Sequence, residues 1–463
     1  MRKTRDFIQA IAMAPFMSSD GVDSCDVLVV GGGVAGMSAA CKLAEWGLRV
    51  QIVEQAPTLG GAVLRRAQKG QNSKLNGVHE PIWRDLMARF DRVRKLISVS
   101  ICSTYTGTDS TGEIVITNTS TSTSVRLRPK AIIVATGASE RVRPRLGWHL
   151  PGVMTAGALQ VILKTSLRAP QKRVLLAGSG PLLLAVAAQL TRLGNPPLAV
   201  IEEARPFRKF WRALSLPAGY LLEAANYMMI LKVAGVPILQ GRFISRIEQY
   251  AGGLRVSITG EDQLCFETDF LALHDGIAKN SYGMRPGGMP IWYEAGDCAL
   301  GLGARASRAH GEAVAIEVIK QLRACPVESV EMKVRTKVLL DVLSREMAAQ
   351  STLAEIYSVD EQSVLDELPH EVIICRCENK SLSDLYDLGS DPTNREIRLN
   401  GRFAMGACQG RFCAHWINML RKKAGTAEGD RLIGSHWPIK PISIQALMQE
   451  SDHASSTERE CSD

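Results

Sequence analysis

Residues 26–36 read Asp26-Val-Leu-Val-Val-Gly31-Gly-Gly-Val-Ala-Gly36, and this stretch decides the fold. The four apolar residues before Gly31 are mostly β-branched and predict a strand buried on both faces. Met37 to Trp46 then repeat apolar residues at helical spacing. The order is strand, G-x-G-x-x-G, helix, and each glycine has a mechanical job. Gly31 makes the tight turn, Gly33 lets backbone approach a pyrophosphate, and Gly36 lets the helix pack close to the strand. The free N–H groups at the helix start face the anion. A second strand, Arg49 to Val53, ends in Glu54, where a carboxylate takes both ribose hydroxyls and repels a 2′-phosphate. A lone G-x-G-x-x-G is weak; with strand, helix and acid in place it predicts dinucleotide binding rather than a structural turn.

Further along, Arg173-Val-Leu-Leu-Ala177 runs into Gly178-Ser-Gly-Pro-Leu-Leu183 and a helix to Leu193. The next strand, Leu198 to Ile201, ends at Glu202. This is a second βαβ unit. Leu183 stands at the third glycine position, so the helix must sit differently against the turn. Two readings stay open: a fold that no longer binds, or a site for an adenine nucleotide, NAD or ATP. Glu202 argues against a 2′-phosphorylated one.

The 463 residues are 46% hydrophobic and 22% charged, which suits two to four packed domains and excludes wholesale disorder. No apolar run approaches the roughly 18–20 residues of a spanning helix, so the chain is not expected to be integral to a membrane. The net charge of +8 comes from scattered Lys and Arg, which disfavours nucleic-acid binding. Residues 1–23 have no continuous apolar core and are expected to form an extension, not a signal peptide.

Eleven cysteines are an odd number, seven spread singly and four near the C-terminus, as expected in a reducing cytoplasm with one local cysteine site. Those four are Cys375 and Cys377 in Ile374-Cys-Arg-Cys-Glu378, and Cys408 and Cys413 in Gly406-Ala-Cys-Gln-Gly-Arg-Phe-Cys413. The pattern is C-x-C, thirty residues, then C-x4-C. Four thiolates on two loops can hold a [2Fe–2S] cluster. Structural zinc is the rival, although C-x-C is less suited to its tetrahedron; unligated thiols are the third reading. Dithiol exchange is disfavoured, because residues 62–101 contain no cysteine and the second unit has only Cys265.

The polar tract Thr117 to Ser124 predicts the turn of a hairpin-like region. Gly60-Gly61, the stretch Ala131-Ile-Ile-Val-Ala-Thr-Gly137 after that hairpin, and Ile291-Trp-Tyr-Glu-Ala-Gly296-Asp297 complete a set that resembles the FAD domain of the glutathione-reductase-like flavoproteins. The resemblance implies an α/β fold with two dinucleotide-binding units, FAD in the first, and Asp297 beside the ribityl chain. The cysteine stretches look like the bacterioferritin-associated-ferredoxin (BFD-like) type of [2Fe–2S] domain. Joined behind an FAD domain, they resemble the A or alpha subunits of opine oxidases and hydroxyproline dehydrogenases and the B subunit of hydrogen cyanide synthase. Gly137-Ala-Ser-Glu-Arg141 and Gly147-Trp-His-Leu-Pro-Gly-Val-Met-Thr-Ala-Gly157 match as well. The segment from His274 to Ile291 is shorter than the family's.

The expected organisation is an FAD domain (24–160 and 286–327), a second nucleotide domain (161–285), a helical linker (328–365), a [2Fe–2S] domain (366–425) and a tail (426–463). The cofactor-binding candidates are Gly31, Gly33, Gly36, Glu54, Gly61, Gly137, Gly178, Gly180, Glu202, Gly296 and Asp297. The cluster candidates are the four C-terminal cysteines, and no catalytic residue is named. The resemblance implies an oxidoreductase subunit serving amine or amino-acid oxidation, beside a smaller FAD-dependent catalytic subunit. A quinone is the candidate acceptor, and the location is cytoplasmic or peripheral at the inner face of the membrane. Its rivals are a redox-inactive assembly subunit with vestigial nucleotide folds, and an NADH-linked ferredoxin-type reductase. The histidines are expected as polar surface or capped residues, with His149 and His310, in flavin-domain motifs, the best exceptions. Arg205 to Arg212, basic and aromatic, is expected as a solvated helix with a buried aromatic side, with docking of a partner or an acidic cofactor the alternative.

Overall fold

The computed structural model describes residues 25–65, 79–109, 112–259, 264–281, 284, 291–301, 303–323, 330–423, 432–433 and 437–448. The expected N-terminal extension and the end of the tail lie outside them. The helices used below are α1 (Val34–Glu45), α2 (Ala156–Ser166), α3 (Pro181–Arg192), α4 (Ala218–Val233), α5 (Gly303–Arg323) and α6 (Val330–Ile356).

Two five-stranded sheets organise the chain. In the first, Val27–Val30 lies between Val50–Val53 and Ala131–Val134, all parallel, with Ile97–Ser100 and Trp292–Glu294 at the edges. Every residue of Val27–Val30 is buried, as a strand covered on both faces requires. In the second, Val174–Gly178 lies between Val200–Glu202 and Phe270–His274. The strand that leads to Asp297 returns to the first sheet after the second is complete, so the second unit is inserted within the first.

Helix α1 packs against α5 closely because Gly311 meets α1 backbone: a Cβ there would lie 2.2 Å from the Ala35 carbonyl oxygen. Helix α6 lies against α5, and its Leu339 and Leu343 join the first core. It is therefore part of the packed body as well as a connection. The strands Ile114–Asn118 and Thr123–Leu127 pair antiparallel and form the expected hairpin, turning within the polar tract at residues 119–122. Beyond the cysteines, Ile439 is buried against that sheet, its N–H donating to the Thr106 carbonyl at 2.9 Å.

Candidate functional site

The first Gly loop is built by close approach. Gly31 has φ +110°, and a Cβ on it would lie 2.3 Å from the Ala135 carbonyl oxygen. A Cβ on Gly36 would lie 1.9 Å from the Gly31 carbonyl oxygen. Gly33 differs: the nearest atom to its notional Cβ is the Gly61 Cα at 3.7 Å, and Gly137 has nothing within 4 Å. Gly33 and Gly137 thus leave bare backbone beside open space, while a Cβ on Gly61 would lie 2.9 Å from the Gly33 Cα, so Gly61 lets the two loops close into a cradle that side chains would fill. The Gly32 N–H donates to Glu54 Oε2 and the Ala56 N–H to Glu54 Oε1, both at 2.8 Å. Two donors pin the carboxylate, and its remaining lone pairs can accept ribose hydroxyls.

At the other end, Asp297 Oδ1 accepts from the Gly303 N–H at 2.8 Å and the Ser307 hydroxyl at 2.9 Å. This fixes the carboxylate at the start of α5. The Gly296 N–H donates to His310 Nδ1 at 3.0 Å, so His310 orients the same turn. The bare cradle, the pinned acid and the helix start fit FAD.

The second loop repeats this plan. A Cβ on Gly178 would lie 1.8 Å from the His274 carbonyl oxygen. Glu202 accepts from the N–H groups of Gly180 at 3.1 Å and Ala204 at 3.0 Å. Burial pushes its carboxyl up to about 7. Leu183 is fully buried in the second unit's core, so it replaces a close glycine contact by apolar packing. The Ser179 hydroxyl donates to the Tyr357 carbonyl at 2.9 Å, which ties the end of α6 to this loop.

Between the two units lies a cavity of about 870 Å³ that the sequence did not reveal. Glu202, Leu182, Val63, His79 and Lys164 line it, and Leu353 of α6 helps to wall it. The Lys164 ammonium donates to the carbonyls of Ala62 at 3.0 Å and Val63 at 2.9 Å. Burial lowers it to about 8. Burial also lowers His79, whose Nδ1 has no partner among the described residues.

His274 corrects the surface expectation for histidines. It is 4% exposed, and its Nδ1 lies 2.8 Å from Glu140 Oε1. Beside it, Asp275 and Glu203 meet Arg143 and Arg145 in a buried quartet, with Arg145 Nη2 2.6 Å from both acids. Burial raises the Asp275 carboxyl, but the flanking Arg pair outweighs it and holds the group well below its ordinary range. Residues this far apart in sequence carry no shared pattern, and only the fold brings them together.

The four C-terminal cysteines come together in two sulfur pairs, Cys375 with Cys413 and Cys377 with Cys408. The shared hydrogen bond lowers the Cys375 thiol and raises that of Cys413, and the backbone N–H of Ala404 serves both. A Cβ on Gly406 would lie 2.4 Å from Cys377 Cβ, so this glycine lets the two loops close. Asn379, Arg402, Ala404 and Gln409, half of the eight non-glycine residues with positive φ among the described residues, flank these cysteines. Such backbone concentrates at functional sites. Among the described residues, no group of three or more His, Cys, Asp or Glu side chains is arranged to hold a metal ion.

The cysteine-bearing segment docks on the first crossing between the units. The Trp148 indole donates to the Ile373 carbonyl at 2.6 Å, the Trp416 indole to the Val142 carbonyl at 3.0 Å, and Arg376 to the Val153 carbonyl at 2.8 Å. Arg376 therefore secures the docking, while Arg411 bonds the Cys408 carbonyl at 3.1 Å.

Residues 25–294 match the family model of the pyridine nucleotide-disulphide oxidoreductases. The chain belongs to the pyridine nucleotide-disulphide oxidoreductase family. It is an FAD-dependent oxidoreductase. The A subunit of opine oxidase from Agrobacterium tumefaciens (strain Ach5) is 27% identical to this oxidoreductase, over 93% of each chain. The HcnB subunit of hydrogen cyanide synthase from Pseudomonas protegens is 24% identical, over 92% of this chain and 97% of that one. The L-proline dehydrogenase of P. horikoshii shares the fold, with a TM-score of 0.60 and 18% identity over 92% of this chain and 79% of that one. No helix among the described residues is long and apolar enough to cross a membrane.

Proposed function

We propose that this chain is the FAD- and [2Fe–2S]-carrying subunit of a heteromeric dehydrogenase that oxidises an amine or amino acid of the opine, hydroxyproline or glycine type. The observation that carries the reading is the pairing of four cysteine sulfurs across two loops, in the same body as the Gly33–Gly61–Gly137 cradle. Bound in that cradle, FAD supplies two-electron chemistry, and a cluster on Cys375, Cys377, Cys408 and Cys413 supplies one-electron chemistry. The chain's own groups position them. Glu54 holds ribose hydroxyls, Asp297 sits beside the ribityl chain, and the N–H of Ala404 stabilises thiolate charge.

The second loop holds an adenine nucleotide, NAD or ATP, against Gly178, Gly180 and Glu202. The catalytic partner is a smaller FAD-dependent subunit, the acceptor a quinone, and the location cytoplasmic or peripheral at the inner face of the membrane. The relatives' names as subunits support the heteromer.

The test is to offer the purified, cofactor-loaded chain opines, hydroxyproline, sarcosine and glycine with a dye acceptor. The expected result is no turnover by the chain alone, with turnover once the catalytic flavoprotein subunit is added. Enzyme-like rates from the lone chain would contradict the division of labour.

A further inference from the structure

Helix α4 is an anomaly for a protein surface. It has the sequence Ala218-Gly-Tyr-Leu-Leu-Glu-Ala-Ala-Asn-Tyr-Met-Met-Ile-Leu-Lys-Val233, yet Leu231 is its one buried residue. Leu222, Met229 and Val233 are 72, 66 and 84% exposed. Just before it in sequence, Phe207, Phe210 and Trp211 are each more than half exposed. Contiguous apolar surface of this kind marks an interaction site.

The pattern on α4 specifies what fits. Ala218, Leu222, Ala225 and Met229 are spaced four, three and four apart and share one face. Small residues alternate with large ones, leaving holes for the knobs of a facing helix. Phe207, Phe210 and Leu221 continue from this face to the large cavity, which they help to line. A lipid surface would not fill such a concavity, whereas side chains of a partner can.

Charge completes the specification. A notch of about 220 Å³ next to the apolar face is lined by Arg205, Arg208, Arg242, Gln240 and Gly241. Among the described residues, neither Arg205 nor Arg208 has an ion-pair partner. Arginine forks match carboxylates in bidentate geometry. Two copies of this chain would set cation against cation, so a second copy is a poor occupant.

We propose that α4 and the Arg205–Trp211 segment form the docking surface for a different protein chain, one presenting an apolar helix flanked by carboxylates. This rests on the reading of the chain as one subunit of a heteromer. Seated there, the partner caps the cavity and sets a carboxylate into the arginine notch. Aromatic and Arg anchors at the centre of such a face dominate affinity, and the charges set register and on-rate.

The experiment purifies the assembly from its source through a tag on this chain, identifies its components by mass, and compares hydrogen exchange of residues 206–233 in the assembly and in the isolated chain. Two variants accompany it, Leu222→Glu with Met229→Glu, and Arg205→Glu with Arg208→Glu. All four residues are exposed, and flavin content checks that each variant is folded. The expected result is protection of 206–233 by a second, non-identical chain. The apolar variant should weaken association at least about 100-fold, and the charge variant about 10-fold with a reduced salt dependence. A partner bound elsewhere, with 206–233 unprotected, overturns this inference and leaves the heteromer standing. A lone chain overturns both. Protection by a second copy, or binding of the isolated chain to phosphatidylglycerol vesicles that both variants lose, overturns the assignment to a protein partner.

Discussion

The Lys440 ammonium donates to Gln55 Oε1 at 2.9 Å, so the C-terminal segment reaches the acid-bearing end of the first Gly loop. Burial lowers the Lys440 ammonium, and Arg411 of the cysteine loop lies close enough to push it the same way. The Glu54 carboxylate, one residue before Gln55, opposes both. The cysteine loop, the C-terminal segment and Glu54 therefore share one neighbourhood.

Replacing Glu54 by Ala removes the acceptor for the Gly32 and Ala56 N–H groups and, on the proposed reading, for the ribose hydroxyls. FAD affinity should fall by roughly 1–3 kcal/mol, the cost of polar groups left unpaired. Flavin fluorescence released on serial dilution measures it. Unchanged retention would remove Glu54 from the site.

Arg145 neutralises Asp275 and Glu203 in the buried quartet. Substitution by Met leaves two acids facing one guanidinium, and stability should drop by about 3–5 kcal/mol. Urea unfolding of wild type and variant measures the difference. A loss below about 1 kcal/mol would show that solvent already reaches the quartet.

Glu202 gives a pH dependence with a defined sign. Its folded-state carboxyl is raised from 4.5 to about 7, so folding favours the protonated form. That contribution is fully present below the unfolded value and is lost as pH rises through the folded one. Between about pH 6 and pH 8 wild type should lose about 1 kcal/mol more than Glu202→Gln. Parallel stability curves for the two proteins would show that Glu202 does not titrate in that window.

Cys377→Ser should lose iron and acid-labile sulfide yet keep FAD, because none of the hydrogen bonds that shape the FAD cradle runs through Cys377. A full iron complement in the variant would strike Cys377 from the ligands.

Much of the nucleotide architecture was legible because local pattern carries it. The strands before Gly31 and Gly178, the loops themselves and the acids at 54 and 202 fall within short windows, where strand period and loop chemistry agree. The strand and the helix on either side of Gly296-Asp297 were legible too, although the role of Asp297 came only from resemblance. The His274–Glu140 pair and the Arg143–Arg145–Glu203–Asp275 quartet were not, because each joins segments more than fifty residues apart. Nor was the covering role of α6. Its apolar residues predict a helix but not which surface receives Leu339, Leu353 or the Tyr357 carbonyl. The cavity between the units follows from that packing, and so it too was invisible. Leu183 shows the converse, a motif departure whose meaning became plain once it was seen buried in the core.

The central claim is that one chain carries both FAD and a [2Fe–2S] cluster. The most direct test is the visible absorption spectrum of the anaerobically purified chain, with flavin, iron and sulfide assayed on the same sample. The expected spectrum has a flavin band that yields FAD on denaturation, and beneath it a broad sulfide-to-iron absorption that disappears in Cys377→Ser, with iron and sulfide in equal amounts. A colourless protein, or a flavin spectrum with zinc in place of iron and sulfide, would contradict it.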